Sequence, residues 1–209
     1  MATEELEGLL NSRIIAAYTA GVSVVEITRT LGKIRVDFVH SLLRETGHIP
    51  AMARSEYRRT YQIDPRLTEA MRKMGYTFGR WCLGWRFEPE AAVADLATAP
   101  ENAPLTAPHE AVRRDYPVVY FRMYGGGRPQ RRARRSGGAE HPALSIDWEH
   151  ALGRYVAQVP EYPEIEAVGN DWVEAAEEAK TAYRFLACIR KLDRVIERIF
   201  PFYKNAPLL

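Results

Sequence analysis

The chain has 209 residues, of which 46% are apolar and 27% charged, with a formal net charge of +2, a balance typical of a folded protein rather than a disordered chain. No apolar run approaches the roughly 18 residues that a transmembrane helix needs, and the acidic start MATEELEGLL lacks the order of a signal peptide. The two distant cysteines, Cys82 and Cys188, fit neither a metal motif nor a disulfide framework, so we expect a cytoplasmic protein.

The N-terminus is expected to form a helix. Residues 4–20 place apolar side chains three and four positions apart, which makes one apolar stripe on a helix. Gly21 ends this helix, because glycine readily adopts the left-handed conformation that closes a helix. A second, short helix follows over 24–31, since Ser23 with Glu26 three residues later has the order of a capping box.

A third helix is predicted from Arg35 to Thr46, between Gly32 and Gly47. Its inward side chains are expected to be Phe38, Val39, Leu42 and Leu43. Three helices with a short middle one, joined by tight turns that contain glycine, are typical of a helix-turn-helix. We therefore predict a trihelical domain of this kind over residues 1–49.

The order Gly-x-Ser-x-x-Glu-Ile-x-x-x-Leu-Gly, from Gly21 to Gly32, resembles the helix-turn-helix of resolvases and invertases, the Hin-like members of the homeodomain-like group. The resemblance covers about residues 8–48. It implies that the third helix enters the major groove of DNA and presents its outer face to bases and phosphates. The residues that it assigns to this contact are Lys33, Ile34, Arg35, Asp37, His40, Ser41 and Arg44.

Two of these positions carry distinct chemistry. Arg35 can donate two hydrogen bonds to O6 and N7 of guanine. Asp37 is repelled by phosphates unless it accepts a hydrogen bond from a cytosine amino group. Residues 29–59 hold seven basic and three acidic groups, which favours DNA as the partner. A helical bundle that docks on another protein stays open as the alternative.

The segment from 50 to 112 is predicted to be helical and to end in a linker. Its arginines Arg54, Arg58 and Arg59 either follow the DNA backbone and minor groove or form the solvated face of a fourth helix that begins at Pro50.

Further helices are expected to begin at Asp64 with Pro65, and at Pro89. The aromatic residues of 76–87 have helical spacing, and we interpret them as core rather than as a stacking surface for nucleic acid. The prolines near 100–112 indicate a linker and a domain boundary.

Residues 116–124 are rich in β-forming residues and predict a strand, with 143–146 as its return strand. The tip of this hairpin, 128–135, carries five arginines: Arg128, Arg131, Arg132, Arg134 and Arg135. Residues 113–135 carry eight basic groups and one acidic group, whereas 136–209 carry eight basic and twelve acidic groups. We expect the tip to contact DNA phosphates. A loop that only adds solubility, or that docks on an acidic protein surface, is the alternative.

Two C-terminal helices are expected. Asp147 caps the first, which ends at Pro160 and precedes an acidic, solvated stretch. Asp171 starts the second, a long helix that runs to Phe200. Its apolar residues follow a seam like that of a coiled coil. The seam either pairs with the same helix of a second copy or forms the spine of the C-terminal domain.

These features predict a mainly α fold in three parts. The helix-turn-helix occupies 1–49, a helical middle segment and linker 50–112, and the arginine-tipped β-hairpin with the C-terminal helices 113–209. The C-terminal part is expected to serve oligomerisation, with a dimer through the 171–200 helix, or to bind a protein partner.

The function that this organisation favours is a transcriptional regulator that binds double-stranded DNA, without a cofactor and without a membrane partner. Two alternatives stay open. One is a DNA-packaging or recombination accessory protein, loosely similar in architecture to the small terminase subunits of phages. The other is an interaction or inhibitor protein whose helix-turn-helix regulates its own promoter. An enzyme is not expected, because the five histidines show no ligand spacing and no catalytic motif accompanies them.

Overall fold

The chain forms two compact units. The central unit is Gly21–Ala133, and the split unit combines Met1–Ala20 with Arg134–Leu209. The borders expected between residues 49 and 50 and between 112 and 113 do not coincide with the borders of these units. The computed structural model describes residues 3–32, 34–51, 59–100, 105–125 and 142–199.

Helices dominate the described residues of both units, and a small antiparallel sheet accompanies them in the split unit. The split unit contains α1 (Thr3–Thr19), β1 (Ser145–Glu149), β2 (Arg154–Val159), β3 (Tyr162–Gly169) and α9 (Trp172–Ile199). The central unit contains α2 (Val24–Leu31), α3 (Val36–Glu45), α4 (Pro65–Lys73), α5 (Phe78–Trp85), α6 (Pro89–Ala97), α7 (Ala107–Asp115) and α8 (Pro117–Tyr124).

The helix start signals at Ser23, at Asp64 with Pro65 and at Pro89 are confirmed. The Ser23 hydroxyl oxygen accepts a hydrogen bond from the Glu26 amide at 3.1 Å and caps α2. The Asp64 carboxylate accepts one from the Arg66 amide at 2.8 Å, with Pro65 at the start of α4. Sequence located both starts because each cap joins groups only two or three residues apart.

The trihelical grouping of α1, α2 and α3 is not confirmed. The predicted first helix is present as α1, but it belongs to the split unit, whereas α2 and α3 belong to the central unit. In the central unit α5 packs on the α2–α3 pair. A Cβ atom on Gly84 of α5 would lie 3.3 Å from a methyl carbon of Val24 and 3.7 Å from the His40 ring. An apolar stripe on a helix must pack against another element, but the stripe alone does not identify which helix covers it.

The strand predicted over 116–124 is wrong, because these residues form the helix α8. Tyr120 and Tyr124 lie four residues apart with ring centroids 4.9 Å from each other, and both rings contact the ring of His109. The β-forming residues fit a helix once these rings have a surface to pack on. The predicted hairpin therefore loses its first strand, and the arginine-rich tip lies within 126–141, outside the described residues.

The helix predicted from Asp147 to Pro160 is also wrong. These residues form most of β1, a turn and β2 in a three-stranded antiparallel sheet of order β1-β2-β3. The register aligns Ile146 with Ala157 and Ala157 with Ala167, and all three belong to one apolar cluster. Burial alternates with exposure along β3, which is the period of a strand with one buried face.

The long helix predicted after Asp171 is confirmed as α9. The Asp171 carboxylate accepts hydrogen bonds from the amides of Val173 and Glu174, each at 2.8 Å. Ala175 and Ala179 pack in the cluster on the inner face of the sheet.

Most of the apolar seam of α9 is buried within the split unit. α1 lies along α9 and runs in the same direction, with Thr3 donating to Glu178 at 2.7 Å and Arg13 pairing with Asp193 at 3.1 Å. Six seam residues are buried: Ala176, Ala179, Leu186, Ile189, Leu192 and Ile196. Of the other seam residues, Tyr183 is half-buried and Trp172, at the start of the helix, is 60% exposed. The buried part of the seam therefore forms the spine of the unit, and the dimer through the 171–200 helix stays a prediction.

None of the helices among the described residues is both long enough and apolar enough to span a membrane.

Candidate nucleic-acid interface

α2 and α3 are two short helices that follow each other closely in the central unit. α2 has eight residues and α3 has ten, and residues 32–35 connect them. The apolar side chains of the pair that face inward are buried: Ile27, Leu31, Val36, Val39 and Leu43. Their burial leaves the opposite side of α3 exposed. In helix-turn-helix domains that side of the second helix contacts the major groove.

Arg35 and Asp37 stand at the N-terminal end of α3, the end from which recognition helices contact base edges. The side chain of Arg35 is 85% exposed and that of Asp37 is 54% exposed. Arg35 Nη2 lies 3.2 Å from Asp37 Oδ2, so the two charges form an ion pair at the surface. Both predicted contact residues therefore lie where a ligand can reach them.

A second arginine holds Asp37 from the inside. Arg80 of α5 donates a hydrogen bond from Nη1 to Asp37 Oδ1 at 2.7 Å, and its own side chain is only 17% exposed. This hydrogen bond is the main cause that lowers the pKa of the Asp37 carboxyl below its ordinary value. Arg80 is not among the predicted site residues, because it lies 43 residues from Asp37 and local spacing carries no signal for the pair.

The remaining residues of the predicted face differ in exposure. Arg44 is exposed, whereas Ile34 and Ser41 are half-buried. Phe38, expected inside, is 38% exposed, and Leu42 is half-buried. The inward side of α3 is thus narrower than its apolar pattern indicates, because only Val36, Val39, His40 and Leu43 are buried on it.

The outward placement predicted for His40 is wrong. Its residue exposure is 5%, and its ring contacts Tyr76 edge-on with centroids 5.5 Å apart. The small Gly84 of α5 leaves room for the imidazole on the inner side of α3. Burial, assisted by the charge of Arg80, lowers the pKa of His40 to about 4. His40 therefore supports α3 from beneath and does not contribute to its exposed face.

Arg86 is a further cation beside the C-terminal end of α3, and the sequence gives no local signal for its position. It follows α5 with a left-handed φ of +60°, and its guanidinium donates to the His48 carbonyl at 3.0 Å. Because His48 comes shortly after α3, Arg86 is held beside the C-terminal end of that helix. The tertiary structure thus adds arginines from α5 and its C-cap to those of α3.

Several predicted contact residues lie outside the described part of the chain. They are Lys33, Arg54, Arg58, Arg128, Arg131, Arg132, Arg134 and Arg135. Arg59 is described and exposed, and its Nη1 lies 2.6 Å from the Glu90 carboxylate. Its guanidinium also lies 5.5 Å from the Tyr61 ring centroid. The ion pair with Glu90 partly neutralises the charge of Arg59 and so reduces its attraction for a polyanion such as DNA.

A buried carboxylate fixes the start of α2. Asp115 is 1% exposed and accepts hydrogen bonds from the Ser23 hydroxyl at 2.6 Å, the Trp81 indole at 2.9 Å and the Trp85 indole at 2.8 Å. Burial nevertheless raises the pKa of its carboxyl above the ordinary value. Arg29 donates to the Asp115 backbone carbonyl at 2.7 Å. Asp115 therefore links α2 to α5 and α7, and so fixes the first helix of the pair.

The aromatic segment is part of the same core, as sequence analysis expected. Tyr76, Phe78 and Trp81 are buried, and the Trp85 indole donates to Asp115.

Within the described residues, no group of three or more His, Cys, Asp or Glu residues could hold a metal ion. No protein-family model, curated protein or solved structure matches this chain.

Proposed function

We propose that this protein binds double-stranded DNA and acts in the cytoplasm as a transcriptional regulator, with α3 as the reading helix. The observation that carries the proposal is the α2–α3 pair: a short capped helix, a brief connection, and a second helix whose N-terminal end exposes Arg35 and Asp37. The resemblance of residues 8–48 to Hin-like domains gives the same assignment from sequence. Side chains at this end of a helix can reach base edges in the major groove.

Support for α3 comes from the central unit itself. Asp115 fixes α2 through its cap residue Ser23, and Arg80 fixes the first turn of α3 through Asp37. A reading helix needs this rigidity, because hydrogen bonds to bases discriminate only when the donors and acceptors are held in place.

The affinity for phosphates is assigned to the arginine-rich segment 128–135. Five arginines in eight residues attract a polyanion and release its counterions on binding, independently of base sequence. α3 then selects the site, and the arginine-rich segment supplies binding that depends on salt.

The test is a binding titration of the full chain with fluorescent duplexes, one set of random sequence and one from genomic fragments, between about 50 and 200 mM salt. We expect the wild type to prefer some fragments, and Arg35→Ala to reduce that preference by about tenfold. Replacement of the five arginines of 128–135 with glutamine should make affinity depend less on salt. The slope of log affinity against log salt concentration should become shallower by up to about 0.9 for each phosphate that is no longer neutralised, while the sequence preference stays the same.

The matched control is Arg72→Ala. Arg72 is an arginine of the central unit on α4, paired with Glu69 at 2.9 Å and away from the assigned contact residues in sequence. This variant removes one positive charge but should keep the sequence preference. A wild type that binds no duplex even at the lowest salt would exclude DNA binding as the function.

We infer that a regulator of this kind reads two half-sites as a dimer. Most of the α9 seam is buried within the split unit, and the apolar side chains of α9 that stay exposed to a second copy include Trp172 and Val173. Light scattering with and without the preferred duplex measures the number of copies. A ring of eight or more copies would instead favour the DNA-packaging alternative, and a stable complex with a second protein would favour the inhibitor alternative.

A further inference from the structure

Asp37 is an unexpected residue for a helix that approaches DNA. It lies in the first turn of α3 with its side chain 54% exposed. Phosphates repel a carboxylate, so an acidic side chain at the reading end lowers the affinity for DNA of any sequence. The inference drawn from it rests on the proposed function and concerns which base pair α3 selects.

The carboxylate is held from two sides. Arg80 Nη1 donates to Oδ1 at 2.7 Å, and Arg35 Nη2 lies 3.2 Å from Oδ2. Arg80 is largely enclosed, with 17% of its side chain exposed, so it acts as a fixed support from α5. An ionised carboxylate has about four acceptor sites, so these two contacts leave each oxygen able to accept another hydrogen bond.

The major groove offers few donors to such an acceptor. Guanine presents two acceptors there, and thymine presents one acceptor with a methyl group. Adenine has an amino donor, but its N7 acceptor lies beside it and repels a carboxylate. Cytosine presents its amino group as a donor, with no acceptor of its own on that edge. A fixed carboxylate at this end of α3 therefore matches cytosine better than any other base.

The partner of that cytosine matches Arg35. Guanine O6 and N7 accept a pair of hydrogen bonds from an arginine, and they lie next to the cytosine amino group in the same base pair. Arg35 and Asp37 are in contact with each other, so together they present donors beside an acceptor. This order of groups is complementary to the major-groove edge of one C·G base pair.

We propose that Asp37, positioned by Arg80, accepts a hydrogen bond from the cytosine of one C·G base pair while Arg35 donates to its guanine. Asp37 is then a specificity-determining residue that lowers overall affinity and raises discrimination. Arg80 is a positioning residue, because it acts through Asp37 and does not reach the base itself.

The experiment selects duplexes from a random library with the full-length protein and then measures binding to single-base-pair variants of the selected site. One position of the wild-type site should be C·G, with about a tenfold preference over the other pairs. Asp37→Ala should lose the preference at that position alone and should bind random duplexes several-fold more tightly, since one repulsive charge is removed. Asp37→Asn should shift the preference toward adenine, whose N6 and N7 an amide matches.

Glu45→Ala is the matched control, because it removes one negative charge from the exposed C-terminal end of the same helix. It should keep the C·G preference. Arg80→Met should weaken the preference at the same position as Asp37→Ala, whereas Arg80→Lys should retain part of it. A purely structural role of Arg80 would lower affinity for all duplexes equally and leave the base preference unchanged.

The failures are distinguishable. A wild type that binds no DNA overturns both this inference and the proposed function. A wild type whose base preferences are kept by Asp37→Ala and Asp37→Asn overturns this inference alone. A wild type that binds DNA with no base preference overturns both this inference and the assignment of α3 as the reading helix, and leaves only DNA binding itself. Thermal unfolding of each variant verifies that the compared proteins are folded.

Discussion

The central unit and the split unit differ in what they bury. All five polar or charged residues that are buried among the described residues belong to the central unit: Ser23, Thr28, His40, His109 and Asp115. The core of the split unit consists of apolar side chains, with alanines where α9 meets the sheet. The same chain therefore stabilises its two units by different means.

Helix length accounts for part of the difference. The described helices of the central unit have eight to ten residues, whereas α1 has 17 and α9 has 28. Each helix leaves four amides and four carbonyls without intrahelical partners. The short helices bring more such ends into the central unit, where Ser23 accepts a hydrogen bond from the Glu26 amide and His109 contacts the Thr98 carbonyl oxygen at 3.1 Å. Long helices and a sheet satisfy most backbone groups themselves and tolerate an apolar core.

The contrast implies different weaknesses. The central unit should be sensitive to the loss of a buried hydrogen-bond partner and to pH, and the split unit to added volume where backbones meet. Three substitutions test this contrast, and hydrogen exchange on the full chain locates each effect in one unit.

The largest effect is expected from Asp115→Ala. The change leaves the Ser23 hydroxyl and the indoles of Trp81 and Trp85 without their shared acceptor. Unpaired buried donors should lower the free energy of unfolding by about 4 kcal/mol. Urea unfolding measures this. Glu110→Ala, on the exposed side of the same helix α7, should stay within about 0.5 kcal/mol of wild type. Similar small effects of both changes would show that the buried carboxylate is not essential to the central unit.

The next effect is expected from Gly169→Ala in the split unit. A Cβ atom there would overlap the Ala175 backbone nitrogen and would lie 2.9 Å from the Asp171 carbonyl oxygen. Backbone atoms cannot move aside as a side-chain tip does, so we expect a loss of about 3 kcal/mol, with faster exchange in β3 and the start of α9. Gly8→Ala is the control, since no atom lies within 4 Å of its Cβ and α1 should gain about 0.5 to 1 kcal/mol. Equal tolerance at both glycines would contradict the close approach.

The smallest effect depends on pH and comes from His40→Phe. The pKa of buried His40 is lowered from 6.5 to about 4, so the unfolded state takes up a proton below pH 6.5 while the folded state does not. Wild-type stability should therefore fall by about 2 to 3 kcal/mol between pH 6.5 and 4 from this group. His40→Phe keeps an aromatic ring and should lose this dependence.

Other charges near His40 modify the same profile. Arg80 and Arg44 lower its pKa further, and Asp37 raises it. Asp115 acts in the opposite direction on stability, because burial raises its pKa and its contribution grows as the pH falls. Urea unfolding at several pH values separates the two contributions by comparing wild type with His40→Phe. The control is His150→Phe at an exposed position of the split unit, which should keep the wild-type dependence of the unfolding free energy on pH. If the stability of His40→Phe falls with pH as steeply as that of the wild type, His40 does not have this role.

The candidate interface was foreseen in part. Ser23, the short α2, the start of α3 and the exposure of Arg35 and Asp37 follow from neighbouring residues, and local order determines them. Arg80, Arg86 and the buried position of His40 depend on α5, which lies about forty residues further along. No spacing within α3 can indicate which of its polar residues faces a distant helix.

The sequence by itself determined the helix caps and the long helix after Asp171, because these rest on bonds between residues a few positions apart and on a repeated apolar stripe. Only the tertiary structure decided that α1 packs with α9, that 116–124 is helical and that 147–159 is mainly strand and turn. Those segments fit either conformation locally. The surface against which each segment packs determines whether it forms a helix or a strand, because burial of a segment depends on its partner as much as on its own residues.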